Sequence, residues 1–267
     1  MKILLKNRAL LKISGEDAES FLQNQLSNDI SAIEDNKIQL NAYCTHQGKI
    51  IVLFKVFKNK ENYFLDFPKN LLDIVEKRLK MFVLMSKVEI LNVTDDFKII
   101  GTINKEDNNN SFKLYKNISI CYLPKDTKIN TLGDNTLWQK ILIENKIPEV
   151  ELSTTEKFTP QMLNLDLEEV NGVSWIKGCY PGQEVIARLH YLGKAKRRLF
   201  QVKTTENKMK VGDVLFSNQS KSLKKTGIIV SFVECDFGNI CLATLEISQQ
   251  NEVIYLNNAD GAVIEVL

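Results

Sequence analysis

Beyond Arg198 the sequence changes character. Its apolar residues come in short runs, Leu199 to Val202, Val214 to Phe216, Gly227 to Val233, Ile240 to Leu245 and Ala262 to Val266, each broken off by turn residues. Runs of that kind, rich in Val, Ile and Phe, read as strands. Strands with no helix among them must close on themselves or stack face to face. The pattern therefore predicts a small all-β barrel or sandwich over residues 199–267.

Over residues 1–198 strands and helices mix. Leu10 to Ile13 reads as a strand. Ser14 is then placed to cap a helix that carries Ala18, Phe21, Leu22 and Leu26 on one face and ends near Asn28 and Asp29. Ile38 to Tyr43 and Ile50 to Phe57 read as strands around the turn Thr45-His46-Gln47-Gly48, with Tyr63 to Phe67 as a third. Further helices are expected from Lys69 to Met81, from about Asn135 to Asn145, and from Pro181 to Tyr191, where proline suits a first turn. This is an α+β pattern, read as two subdomains split near residue 100.

Length and charge limit what such a chain can do. Its 267 residues suffice to bury a core without metals or disulfides. The 35 Lys and Arg stand against 33 Asp and Glu, a net charge of +2, which argues against a protein held to nucleic acid by bulk charge but leaves room for a local basic patch. Cys44, Cys121, Cys179, Cys235 and Cys241 are odd in number, and no two have C-x-x-C spacing. Neither a disulfide framework nor a zinc site is expected, and His46 and His190 lack companion ligands. A reducing cytoplasm is the expected compartment. No run approaches the roughly 18 apolar residues that span a bilayer. Lys2, Lys6, Arg8 and Lys12 interrupt anything resembling a signal peptide, so no membrane partner is expected.

The most informative stretch runs Lys177-Gly178-Cys179-Tyr180-Pro181-Gly182-Gln183-Glu184-Val185-Ile186-Ala187-Arg188. It sets a thiol just ahead of a helix N-terminus, where free backbone N–H groups and the helix dipole favour a thiolate. Lys177 adds a positive charge two residues away. Gly178 and Gly182 remove side chains where a planar ligand or another backbone approaches. Glu184 and Arg188, four residues apart, are spaced to pair. The same residues also read as a structural loop with a buried Cys and a solvated ion pair, and spacing does not separate the two readings.

Lys-Gly-Cys-Tyr-x-Gly-Gln-Glu followed by Ala-Arg resembles the signature of the YgfZ family, folate-binding proteins related to the T-protein, the aminomethyltransferase of the glycine cleavage system. Phe21-Leu22-Gln23-Asn24-Gln25-Leu26-Ser27-Asn28-Asp29 is similar to that family's N-terminal box. Ala42-Tyr43-Cys44 with Gln47-Gly48-Lys49 resembles the strand–turn–strand after it. Ile147-Pro148, Phe158-Thr159-Pro160-Gln161 and Asn164-Leu165 precede the Cys motif, and Gly193 and Lys196-Arg197-Arg198-Leu199 follow it, in the family's order. The resemblance implies an α+β, aminomethyltransferase-like folate-binding fold closed around a central opening, with a small C-terminal β-barrel. It implies tetrahydrofolate, or a one-carbon derivative of it, as cofactor. It further implies support of iron–sulfur enzymes or their assembly machinery and, through them, tRNA modification such as methylthiolation, with tRNA a partner only indirectly. Cys179 carries over as the functional thiol, with Lys177 beside it. Gln25, Asn28, Asp29, Tyr180, Gln183, Glu184 and Arg188 carry over as candidate folate contacts. Cys179 is expected at the rim of a cavity whose far wall includes Glu144 and residues 23–29.

The chain also departs from the T-protein pattern. T-proteins carry an acidic pair on the strand after the glycine turn, and one Asp there serves catalysis. The corresponding strand here is Gly48-Lys49-Ile50-Ile51-Val52-Leu53-Phe54, with apolar Val52 or Leu53 at the acid's place. No apolar side chain can orient or deprotonate an amine, so the chain leans away from being an aminomethyl-transfer enzyme. Glu144 stands where T-proteins hold the pterin's amino-pyrimidine edge with a carboxylate, whose two oxygens meet two parallel N–H donors. The Arg and Gly of that pattern are missing, and Glu144 reads equally as a solvated helix-end residue. Lys194, Lys196, Arg197 and Arg198, near His190 and Tyr191, suit a folate glutamate tail or RNA phosphates, or simply a solvated strand edge. Trp138 and Trp175 read first as core residues. Two other functions stay open: a folate-dependent one-carbon transferase acting on a small amine, which needs another carboxylate in the cavity, and a tRNA-binding module, which needs a continuous positive surface.

Overall fold

A computed structural model of the chain describes every residue except 85, 105–109, 131–132, 207, 221–224 and 237. In chain order it contains β1 (Lys2–Leu4), β2 (Arg8–Ser14), α1 (Ala18–Gln23), β3 (Gln39–Cys44), β4 (Ile50–Asn59), β5 (Asn62–Pro68), α2 (Leu72–Val83), β6 (Glu89–Asn92), β7 (Phe97–Ile103), β8 (Ser111–Tyr115) and β9 (Ile118–Pro124). Then follow α3 (Asn135–Glu144), α4 (Gln183–Leu192), β10 (Arg197–Thr204), β11 (Val214–Phe216), β12 (Lys225–Cys235), β13 (Gly238–Glu246), β14 (Ile254–Leu256) and β15 (Val263–Val266).

The first sheet has the order β3-β4-β5-β2-β6. Its strand β4 is apolar on both faces from Ile50 to Phe57, because both are covered, and is interrupted there only by the buried Lys55. Val52, Phe54 and Val56 enter a core with Leu22, Phe67, Val75 and Leu79, beneath α1 and α2. Leu53 enters a second core with Phe158, Leu165 and Val230, and Phe57 a third. One strand thus anchors three cores.

The second sheet has the order β1-β7-β9-β8. The chain does not complete one sheet before starting the next. β1 pairs with β7, Leu4 opposite Ile100, whereas β2 joins the first sheet opposite β5. The remaining strands close into a barrel of order β10-β13-β12-β11-β14-β15, with Val266 of β15 opposite Val202 of β10. Closure removes the exposed edges that short strands would otherwise present. Inside the barrel lie Val202, Leu215, Ile229, Leu245, Ile254 and Ile264.

Two clusters join the first sheet to the second. Phe57 stacks on Phe64 at 5.0 Å and on Tyr122 at 4.2 Å, with Phe112 also at 4.2 Å. Next to them lies a buried group of charges that balances to zero. Arg8 donates through Nε to Asp66 at 2.7 Å and through Nη1 to Glu149, and Lys55 donates to the same Glu149 oxygen. Tyr122 donates its hydroxyl to the other oxygen of Asp66 at 2.7 Å. Burial alone would raise the Glu149 carboxyl, but the charges of Arg8 and Lys55 outweigh it and hold the pKa at about 2.

Local details differ from the sequence pattern. Ser14 does not cap α1. It stays in the strand ladder opposite Glu89, and Asp17 takes the cap position with its carboxylate turned to accept from the Lys87 backbone N–H at 2.8 Å instead of capping α1. Leu26 is buried with α1's apolar face but lies beyond its end. α4 begins at Gln183, not Pro181, because Gly182 adopts φ +84° and can only cap.

Candidate functional site

The two sheets and the segment leading to the barrel surround a cavity of about 630 Å³. The first sheet contributes Ile38, Gln39 and Leu40. The second body contributes Leu114, Tyr115 and the end of α3, and the segment before the barrel contributes Leu167, Val170 and Asn171. A pocket of roughly 300–1,000 Å³ with apolar walls and a few polar groups suits a drug-sized ligand. Glu144 is one of those polar groups. Its carboxylate is only loosely tied to Lys140, at 3.9 Å, and its side chain is about half exposed, so both oxygens can take donors. Lys116 and Lys146 add positive charge to the same lining. These residues fit tetrahydrofolate in size and chemistry: a carboxylate for the amino-pyrimidine edge, apolar walls for the rings, lysines for the glutamate end. Folate, when bound, supplies a carrier for one-carbon units.

Of the predicted folate contacts, Glu144 lines the cavity, while Gln25, Asn28, Asp29, Tyr180, Gln183, Glu184 and Arg188 do not. Residues 23–29 do not form its far wall; they lie one layer behind. Asn28 is buried and donates from Nδ2 to the carbonyls of Leu40, at 3.2 Å, and Asn171, at 2.6 Å. Asp29 caps the short 3₁₀ turn that follows it by accepting from Ser31, and also accepts from Gln23; those bonds, led by Ser31, lower its pKa. Gln25 is buried, and its Oε1 has no hydrogen-bond partner among the described residues.

The Cys motif forms a loop between that segment and α4. Cys179 is exposed, not buried, four residues before the first residue of α4. It is not among the cavity-lining residues, so it does not stand at the cavity's rim. The reason is the anchor beside it. The Lys177 ammonium donates to the carbonyls of Gln23 at 2.6 Å, Leu26 at 2.5 Å and Asn28 at 2.9 Å, which draws the loop against the back of residues 23–28. Burial pulls the Lys177 pKa down to about 8, against the opposing charge of Asp29. Tyr180 points inward, packing with Cys44, Ile50 and Phe158. Gln183 accepts from the Tyr180 backbone N–H at 3.3 Å and so braces the turn into α4. Glu184 and Arg188 are both exposed, and no ion pair joins them among the described residues.

Of the motif's two glycines, Gly182 serves backbone contact. A side chain on Gly182 would meet the Thr45 carbonyl at 2.3 Å and the Gly48 Cα at 2.8 Å, so the β3–β4 turn presses directly on the start of α4. Around Gly178 there is open space beside the thiol. The basic run is partly spent inside the molecule: Arg197 pairs with Glu246, and Arg198 grips Asp166 with both terminal nitrogens. Trp138 is core, whereas Trp175 stacks on His190 at 3.8 Å. Cys44, Cys121 and Cys241 are buried and Cys235 half-buried. Val52 and Leu53 are both buried in apolar surroundings. No group of three His, Cys, Asp or Glu suited to a metal occurs among the described residues, and no helix is long and apolar enough to cross a membrane.

The family resemblance pointed to Glu144, and its motifs also contained Ile147, Pro148, Asn164 and Leu199 of the lining without marking them as cavity residues. The other walls come from three distant stretches whose only local sign is the turn-forming pair Asn171-Gly172, with Asn171 at φ +48°.

No family model matches the chain. An uncharacterized protein of Haemophilus influenzae is 32% identical over 240 residues, which cover 88% of this chain and 85% of that protein. The tRNA-modifying protein YgfZ of Colwellia psychrerythraea is 25% identical over 91% of this chain and 84% of its own length. The protein of the same name from Aliivibrio fischeri is 27% identical over 90% and 83%. Among solved structures, the glycine cleavage system aminomethyltransferase T of Bartonella henselae superimposes with a TM-score of 0.71 at 12% identity, over 99% of this chain and 84% of that one.

Proposed function

The chain belongs to the YgfZ family, and from that premise we propose that it is a tetrahydrofolate-binding accessory protein. It supports iron–sulfur enzymes in the cytoplasm and, through them, tRNA modification such as methylthiolation. The observation that carries this reading is the cavity where the two sheets meet the barrel segment, of folate size and with an accessible carboxylate at Glu144. The absence of an acid at Val52 and Leu53 favours binding over aminomethyl transfer. The surface around the thiol favours a protein partner. Ile176, three residues before Cys179, is 93% exposed, and Leu192 and Tyr191 at the end of α4 are 83% and 65% exposed. Trp175 holds the loop against that helix end through His190. Exposed apolar side chains of this size beside a free thiol suit docking of an iron–sulfur enzyme or its assembly machinery.

The test is calorimetric titration of the purified protein with tetrahydrofolate. Saturable binding is expected, weakened about tenfold in Glu144→Gln, which loses a charge-assisted pair of hydrogen bonds. Absence of saturable binding by the wild type refutes the reading.

A further inference from the structure

The cavity and the Cys179 loop are separate places in the fold, yet an unbroken series of hydrogen bonds joins them. Leu40 and Asn171 line the cavity. The Asn28 side chain holds both of their carbonyls, and its backbone N–H donates to Asn41 at 2.9 Å. The Asn28 carbonyl, with those of Gln23 and Leu26, accepts from Lys177. A second thread runs parallel: Ser27 donates its hydroxyl to the Gly172 carbonyl at 2.7 Å, and Ser174 donates its N–H to the Ser27 carbonyl at 3.0 Å. The 171–179 segment therefore starts in the cavity wall and ends at the thiol, and residues 23–28 clamp it between.

An ammonium has three N–H donors, and Lys177 spends each on one carbonyl. All three acceptors belong to the backbone leaving α1, so the bond set fixes a position in the fold. Two residues further on, the Cys179 side chain itself is exposed, next to a glycine in open space. The sulfur is therefore held between the Lys177 tether on one side and the buried Tyr180 on the other.

We infer that Lys177 is a positioning residue that ties occupancy of the cavity to the placement and accessibility of Cys179. A ligand packed against Leu40 and Asn171 stiffens Asn28, and through Lys177 it holds the thiol loop closed against residues 23–28. The coupling to a folate rests on the function proposed above; the tether itself does not.

Hydrogen exchange of residues 171–179 tests the tether, and the effect of ligand on alkylation of Cys179 by iodoacetamide, compared within each protein and read by peptide mass spectrometry, tests the coupling. Without ligand, Lys177→Met should raise hydrogen exchange of residues 171–179 about tenfold, since freeing the loop removes roughly one charged hydrogen bond's worth of net restraint. Alkylation does not read this step, because Cys179 is already exposed and the variant also removes a positive charge near the sulfur that attacks the reagent. In the wild type, saturating 5-formyltetrahydrofolate should slow alkylation severalfold, and in Lys177→Met it should have no effect while still binding. Hydrogen exchange of residues 171–179 in the wild type, with and without the folate, needs no variant and should show protection. Equal ligand-free exchange rates in the two proteins overturn the tether. A folate effect of equal size in both, or no protection of residues 171–179, overturns the coupling. Loss of folate binding in Lys177→Met also overturns it, because Lys177 would then belong to the binding site itself. Failure of the wild type to bind any folate refutes the proposed function instead, and the ligand-free comparison still decides the tether.

Discussion

Replacing Glu149 with Gln removes one negative charge from the buried cluster and leaves Arg8 and Lys55 sharing Asp66 alone. The cost follows from the position of the carboxyl's titration. Its pKa is about 2 in the folded protein against 4.5 in an open chain. A gap of about 2.5 pH units, at 1.36 kcal/mol each, corresponds to about 3 kcal/mol of stability at neutral pH. Breaking one partner of a buried ion pair costs about 3–5 kcal/mol by general experience, so the two routes agree. Because the folded form binds the proton less tightly, the unfolded chain takes it up first as pH falls. The contribution is whole above pH 4.5 and disappears toward pH 2. Urea unfolding followed by circular dichroism gives the measurement. With a denaturant slope of about 3 kcal/mol per molar, the Glu149→Gln midpoint should fall by about 1 M at pH 7. The difference between the two proteins should shrink by about half at pH 3. A midpoint change under about 0.3 M, or a difference that ignores pH, would refute the assignment of this cluster as the electrostatic joint between the sheets.

Tyr122→Phe deletes one hydrogen bond to the buried Asp66 and should cost about 1.5–3 kcal/mol in the same unfolding assay. Gly182→Ala forces a Cβ into the Thr45 carbonyl at a positive φ, so it should lower the thermal midpoint by an amount equivalent to more than about 1 kcal/mol, seen by scanning calorimetry. Cys179→Ser, at an exposed position, should leave stability within about 0.5 kcal/mol of wild type. In cells lacking their own YgfZ-family protein it should fail to restore methylthiolated tRNA, as measured by nucleoside mass spectrometry.

Some of this was legible in the residues and some was not, for physical reasons. The barrel announced itself because short apolar runs between turn residues have few ways to bury themselves. The apolar run of β4 revealed a strand, though not that both of its faces are covered or that it feeds three cores, since one-dimensional order does not say which neighbour covers which face. Lys177 was visible as a charge near a thiol. Its real partners are main-chain carbonyls, which every residue carries, so no side chain in the sequence advertises them. The same holds for the cavity: Leu40, Leu114 and Asn171 meet only because three separate stretches fold onto one another. Asn28 was marked by its place in a motif, while its task of bracing the wall from behind needed coordinates.

The pairing of β1 with β7 has a consequence for how the molecule is made. During synthesis the segment Lys2–Leu4 leaves the ribosome long before Ile100 and its neighbours exist to receive it. Either that first strand waits unpaired while β2 to β6 assemble downstream, or it is sheltered by a chaperone until its partner arrives. A proline placed at Ile3 would block this pairing with Gly101, and its effect on yield would report on a late stitch of folding rather than an early one.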